Sequence, residues 1–181
     1  MDSPVSIPRS AASSLVFLRS QIPAAHPSAA VLGEERMGAG LAKLDYGNRD
    51  IGGKLDRFWL GDGALRISAQ QQLAFVDALA RGRLAVSAKA QEVVRDISTL
   101  ARDADAVLHG KTGTGPVEDG SSRWLAWQVG WVEKAGVIVP YAAWLEVEGT
   151  VDEVRAARET RLRTTLDALG LFPRSAPAAQ P

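Results

Sequence analysis

Residues 124–147 constrain the fold more than any other stretch. From Trp124 to Glu133, apolar and small or polar residues alternate. Trp127, Val129 and Trp131 fall on one face; Gln128, Gly130 and Val132 fall on the other. Lys134-Ala135-Gly136 supplies a turn, and Val137 to Val147 returns as a second apolar run, bent or interrupted at Pro140. Two such runs joined by a short turn predict an antiparallel hairpin. A sheet this apolar needs helices to cover it.

The covering elements are legible in part. Ser68-Ala69-Gln70-Gln71 reads as a capping box before a stripe of Leu73, Val76, Leu79 and Ala80, and Gly82 closes that helix. Ser87 caps a second helix to about Ala101, with Val93, Val94, Ile97 and Leu100 as its predicted buried stripe. Asp152 opens a last helix that runs to about Leu169 and stops at Gly170. Glu34 to Leu44 is a shorter helix, with Met37, Leu41 and Leu44 on one side. Ala106 to Gly113 reads as a short strand. Helices followed by an antiparallel sheet and a final helix give an α+β layout. Trp124, Trp127, Trp131 and Trp144 are read as sheet core.

The ends differ in composition. Residues 1–30 hold seven Ser, six Ala and four Pro, which predicts an irregular segment, taken to residue 32. Residues 174–181, rich in Ala and Pro, predict a disordered tail. The folded portion is expected over 33–173.

Composition excludes several functions. The 181 residues carry 21 basic and 21 acidic side chains, so no global field favours nucleic acid. With no cysteine and only His26 and His109, neither a disulfide nor a thiolate site is available, and the histidines lack ligand spacing. No metal or cofactor is expected. No apolar run is long enough to span a membrane or to form a signal-peptide core, so the chain as written would be cytoplasmic.

Gly110-Lys111-Thr112 resembles the end of a phosphate loop, but the position that such a loop reserves for its first glycine is Asp105, and Gly and Pro follow instead of a helix. Lys-Thr-Gly on a strand has another use, bordering the site of penicillin-recognising serine enzymes. Alone it is a common turn. Here Tyr46-Gly47-Asn48, Phe58-Trp59-Leu60, Leu65-Arg66-Ile67-Ser68, Gly110-Lys111-Thr112-Gly113 and Val129-Gly130-Trp131-Val132-Glu133 occur in order. That set resembles the C-terminal part of the class D (OXA-type) serine β-lactamases, within the penicillin-binding transpeptidase-like superfamily.

The resemblance implies roles. Lys111, Thr112 and Gly113 would line a β-lactam site, and the Thr114 amide would be an oxyanion-hole donor. Trp59 would hydrogen-bond a carboxylated lysine, the family's base; its ordinary alternative is a core plug. Arg158 would pair with the substrate carboxylate; its ordinary alternative is one solvated arginine among the four of its helix, with Arg155, Arg161 and Arg163. Tyr46, Gly47 and Asn48 would shape a turn beside the site. Relatives of this family are expected in the periplasm or outside the cell.

One motif is missing. The family's Ser-x-x-Lys puts the nucleophile and base on one helical face. The five lysines are Lys43, Lys54, Lys89, Lys111 and Lys134, and three positions before them stand Gly40, Ile51, Val86, Leu108 and Trp131. Ser14-Leu15-Val16 matches the family's Ser-x-Val as text but lies several residues early. The expectation is an N-terminally incomplete, inactive β-lactamase-like chain. The alternatives are a non-catalytic penicillin-binding or sensing domain and a remnant without ligand. A sheet face left bare by the missing part would favour self-association.

Overall fold

The computed structural model describes residues 22–52, 55, 58–59, 63–117 and 120–174, with backbone only for 22–30. Helix α1 (Ile22–Lys43) is followed by α2 (Ala69–Ala80), α3 (Ala88–Ile97), β1 (Thr99–Arg102), β2 (Ala106–Pro116), β3 (Arg123–Lys134), β4 (Val137–Glu148) and α4 (Val151–Ala168). The strands form one antiparallel sheet in the order β1-β2-β3-β4. The α+β layout is as expected, and so is the hairpin, whose turn places Ala135 and Gly136 at positive φ.

Helices lie on both faces. On one, Val76 of α2 packs with Leu125, Trp127 and Val129, and Leu79 and Ala80 pack with Trp131. On the other, Leu162 and Leu166 of α4 pack with Ala106, Leu108 and Val132. The alternation read along β3 therefore places its odd residues under α2 and its even residues under α4. Trp127 and Trp131 are buried, whereas Trp124 is half-buried and donates Nε1–H to the Gly149 carbonyl at 2.9 Å.

Both predicted caps form. Ser68 and Gln71 exchange hydrogen bonds at the start of α2, and Ser87 Oγ accepts from Ala90 N at 3.2 Å. At α4 the cap is Thr150, two residues before the expected start, in a second capping box with Glu153.

Four expectations need correction. The irregular N-terminal segment is helical from Ile22, because alanine favours helix and Pro23 is tolerated in a first turn. Gly33, at φ 76°, breaks α1 there, so Glu34 does start a separate helical piece. Helix α3 stops at Ile97, and Thr99–Arg102 pair with β2 instead. In α2, Gln72 is fully buried and Leu73 is 38% exposed, because Gln72 donates to the Tyr46 hydroxyl at 2.7 Å. Finally, the central strands are covered on both faces. One exposed apolar surface is the α3 stripe, with Val93 44%, Val94 40% and Ile97 77% exposed, joined by Leu100 at 45%. Among the described residues no helix is long and apolar enough to cross a membrane. Ser14, Leu60 and residues 175–181 lie outside the described residues; Arg174 donates to Thr164 Oγ1 at 2.7 Å.

Candidate functional site

The Lys-Thr-Gly segment lies in mid-strand, not at a helix start, so the phosphate-loop reading fails on geometry. Pairing between β1 and β2 ends at Thr99↔His109. Beyond it, residues 111–116 present an outer edge that no described strand covers. Gly110 N donates across that edge to Ser98 O at 2.8 Å. Amides alternate sides along a strand, so those of Thr112 and Thr114 point to the same open edge. A ligand amide or oxyanion could lie along it.

Two glycines let β2 and β3 approach at this point. Gly110 pairs with Gly130. A Cβ on Gly130 would stand 2.1 Å from His109 O, and one on Gly110 would stand 2.5 Å from the Tyr141 hydroxyl. Those contacts leave no room for any other residue without movement. Tyr141 in turn donates its hydroxyl to His109 O at 2.8 Å, tying β4 to β2 across β3.

Lys111 is half-buried on the α2 side and donates to Thr112 O at 2.8 Å. Burial pulls its pKa below the ordinary lysine value, and the charge of Arg158 adds to that shift. Arg158 reaches β2 from α4: Nη1 donates to Thr114 Oγ1 at 2.8 Å and to Gly113 O at 3.4 Å. Its Nε is buried and meets no acceptor among the described residues. Its neighbours behave differently. Arg155 pairs with Asp152 at the helix surface, Arg163 pairs with Glu159 and lies largely buried over the Phe172 ring at 5.0 Å, and Arg161 is exposed. Arg158 is thus the arginine of the four that turns to the strand. Two cations converge here, near enough for the charge of Arg158 to bear on Lys111.

The Tyr46-Gly47-Asn48 turn is fastened to the Leu65–Ile67 segment. Asn48 Nδ2 donates to Ala64 O at 2.9 Å, and Asn48 Oδ1 accepts from Arg66 N at 2.8 Å. Gly47 has φ 59°, and a Cβ there would lie 2.3 Å from Arg66 O. Two sequence motifs 18 positions apart are therefore one structural unit. Tyr46 packs edge-on against Phe75 with ring centroids 4.8 Å apart, and burial raises its hydroxyl pKa. Trp59 stands edge-on to Phe58 at 4.8 Å, beside the cluster of Leu41, Ile51, Phe58 and Leu65. Tyr46 belongs to that cluster's margin and also to the cavity that Lys111 lines.

Sequence reasoning missed the Thr114 side chain, assigning only its amide, and missed Gln72 and Tyr141. It also gave no role to His109 and Glu133. His109 stacks on Trp131 with centroids 4.4 Å apart, and its Nδ1 lies 3.2 Å from Arg95 O. Glu133 accepts from Arg95 at 3.0 Å and from Trp131 Nε1 at 2.9 Å. The Val-Gly-Trp-Val-Glu motif was the available signal for Glu133; nothing in the local pattern marks Tyr141.

With the geometry in hand, known proteins give a consistent comparison. The model of the penicillin-binding protein transpeptidase domain matches residues 13–156. The match begins ahead of residue 33, where the resemblance was expected to start. β-Lactamase OXA-10 of Pseudomonas aeruginosa is 36% identical over 129 residues, which is 71% of this chain and 48% of that protein. OXA-48 of Klebsiella pneumoniae is 38% identical over 114 residues, 63% of this chain and 42% of that protein. The solved class D β-lactamase FUS-1 (OXA-85) of Fusobacterium nucleatum subsp. polymorphum superposes with TM-score 0.75 at 36% identity, covering 84% of this chain and 61% of the other. The class D enzyme YbXI from Nostoc gives TM-score 0.76 at 33% identity, covering 86% and 64%. The chain spans about half the length of the curated relatives it matches.

Proposed function

The chain belongs to the penicillin-binding protein transpeptidase domain family, as a C-terminal portion of the class D β-lactamase type, and on that premise we propose that it holds β-lactams by their carboxylate without hydrolysing them. One observation carries the reading. Arg158 is a half-buried guanidinium, anchored to Thr114 and Gly113, with a buried Nε that meets no acceptor among the described residues; the charge of Glu159 bears on it, but no ion pair between them is among the described contacts. Buried charge ordinarily has a counter-charge. A carboxylate on the open edge of β2 supplies one, and a guanidinium suits it bidentately.

In this reading Lys111 adds a second positive charge, and the Thr112 hydroxyl and Gly113 border the ligand. The Thr114 amide faces its acyl oxygen, as an oxyanion donor would. Tyr46, Gly47 and Asn48 wall the adjoining side, and Trp59 supports that wall. The acyl-enzyme route requires a serine one helical turn before a lysine, and no lysine of the 181 residues has one. Incubation with a chromogenic cephalosporin tests this: no ring opening above the buffer rate is expected. Enzyme-like turnover that survives repurification would refute it.

Self-association is the second part of the proposal, and its surface is the α3 stripe of Val93, Val94 and Ile97. An antiparallel pair of α3 helices sets Lys89 of one copy against Asp96 of the other, which suits a two-fold contact. Sedimentation should show a dimer that Ile97→Lys abolishes. A monodisperse monomer at high micromolar concentration would contradict it.

A further inference from the structure

The sheet has a second open edge, along β4. The turn that joins β3 to β4 is Ala135-Gly136, so Lys134 and Val137 form the first hydrogen-bonded pair. The odd-numbered residues of β4 therefore bond to β3, and the even-numbered ones turn their amides and carbonyls outward. Two observations agree. The Ile138 carbonyl accepts from Arg81 Nη2 at 3.2 Å, outside the sheet. Pro140, which has no N–H to give, occupies an outward position. Past Pro140, the outward residues are Ala142, Trp144 and Glu146, and no described strand pairs with them on that side.

Beside this edge, on the α4 side, lies a cleft of about 360 Å³. Tyr141, Ala143 and Leu145 of β4 form its floor; Leu162, Thr165 and Leu169 of α4 form its wall. Leu169 is 64% exposed. The charged residues of the lining are Arg158 and Arg161, and no acid lines it. Arg158 turns its guanidinium to β2, whereas Arg161 is exposed.

We propose that the outer edge of β4 takes an extended segment of a partner polypeptide as an added strand, with alternate apolar side chains in the cleft and an acidic one against Arg161. Outward backbone groups at every second residue repeat at about 7 Å, twice the rise of a strand residue, and another extended backbone matches that repeat. Main-chain bonds supply the affinity of such a contact, and the cleft for alternate side chains supplies its selectivity. Charge decides among the occupants. Residues 1–21 of this chain carry Arg9 and Arg19 against Asp2 alone. A second copy of β4 would turn Val139, Tyr141, Ala143 and Leu145 to the cleft, none of them acidic. An apolar segment of a different protein, with an acid among its cleft-side residues, fits both the edge and the charge. The contact uses neither Lys111 nor the outer edge of β2, so it is independent of the β-lactam reading.

Calorimetry and amide hydrogen exchange on the full chain test the proposal. The probe is a nine-residue peptide of alternating valine and threonine, with aspartate in place of one valine. It should bind saturably, and exchange should slow at least tenfold at the Ala142, Trp144 and Glu146 amides. Methylating the peptide's backbone nitrogens should abolish binding. Lysine in place of the aspartate should weaken it at least tenfold, and Arg161→Glu should reverse that preference. Ala142→Pro removes one outward donor without touching the ladder to β3, and should also weaken the peptide at least tenfold. If that variant does not fold, the methylated peptide on the unaltered chain still decides. Protection at Thr112 and Thr114 in place of β4, equal affinity for the aspartate and lysine peptides, or undiminished binding of the methylated peptide would each overturn the assignment. So would a fall in sedimenting mass on Ala142→Pro, which would give the edge to a second copy, or peptide binding that appears only after residues 1–21 are removed, which would give it to this chain.

Discussion

Arg158 Nη1 donates to Thr114 Oγ1 at 2.8 Å, joining α4 to the strand that carries Lys-Thr-Gly. This contact ties the guanidinium to β2. Arg158→Ala should therefore weaken benzylpenicillin binding by about ten- to a hundredfold, the range of a charge-assisted hydrogen bond. Arg158→Lys should recover little, because a point charge cannot reproduce the fork. Thr114→Val should cost less than Arg158→Ala, since it loosens the arginine without removing it. Titration calorimetry on the three variants gives the order.

The closeness of Gly110 and Gly130 predicts a stability effect. Gly130→Ala places a methyl against the His109 carbonyl, and overpacking of this kind costs about 1–3 kcal/mol or more. A fall of several degrees in Tm should follow, with a smaller fall for Gly136→Ala, where a Cβ meets nothing within 4 Å and only the positive φ is strained.

Much of the fold was legible because it depended on local pattern. The alternation from Trp124 to Glu133, the Ser68 and Ser87 caps and the Gly170 stop are each set by nearest neighbours in sequence. The errors came where tertiary partners decide. Gln72 is buried because Tyr46, 26 residues away, accepts its hydrogen bond. Leu100 sits on a strand because β2 pairs with its segment. The α3 stripe reads as core by periodicity, yet no described element covers it. At the site, Lys111, Thr112 and Arg158 were named from motif and spacing. The contact between Arg158 and the Thr114 hydroxyl could not be read, because it joins two elements 44 positions apart.

His109 predicts a pH dependence. Burial lowers its pKa below the usual 6.5, while Glu133 and the Arg95 carbonyl pull the other way and Arg95 and Arg102 add to the lowering. The unfolded chain then binds a proton before the folded one does. Stability from this group is full above about pH 6.5 and declines as pH falls through that value. Burial raises the pKa of Glu133, but hydrogen bonds from Trp131 and Arg95 outweigh it, so its value lies below 4.5 and a further loss follows in stronger acid. Denaturant midpoints between pH 7.5 and 5 should fall, and His109→Gln should flatten that fall. An equal slope in the variant would assign the effect elsewhere.

The Tyr46 hydroxyl predicts a local cost. Tyr46→Phe leaves Gln72 Nε2 buried without its acceptor, a loss of about 1–3 kcal/mol. Replacing both residues, as Tyr46→Phe with Gln72→Leu, should recover part of it. Chemical denaturation of the single and double variants measures the difference.

The most direct measurement mixes the 181-residue chain with benzylpenicillin, follows binding by calorimetry, and then recovers the ligand for mass analysis. The account predicts saturable binding that Arg158→Ala weakens, with the ring intact and no adduct on the protein. Absence of binding by the folded chain, hydrolysed penicillin above the buffer control, or a covalent acyl adduct would contradict it.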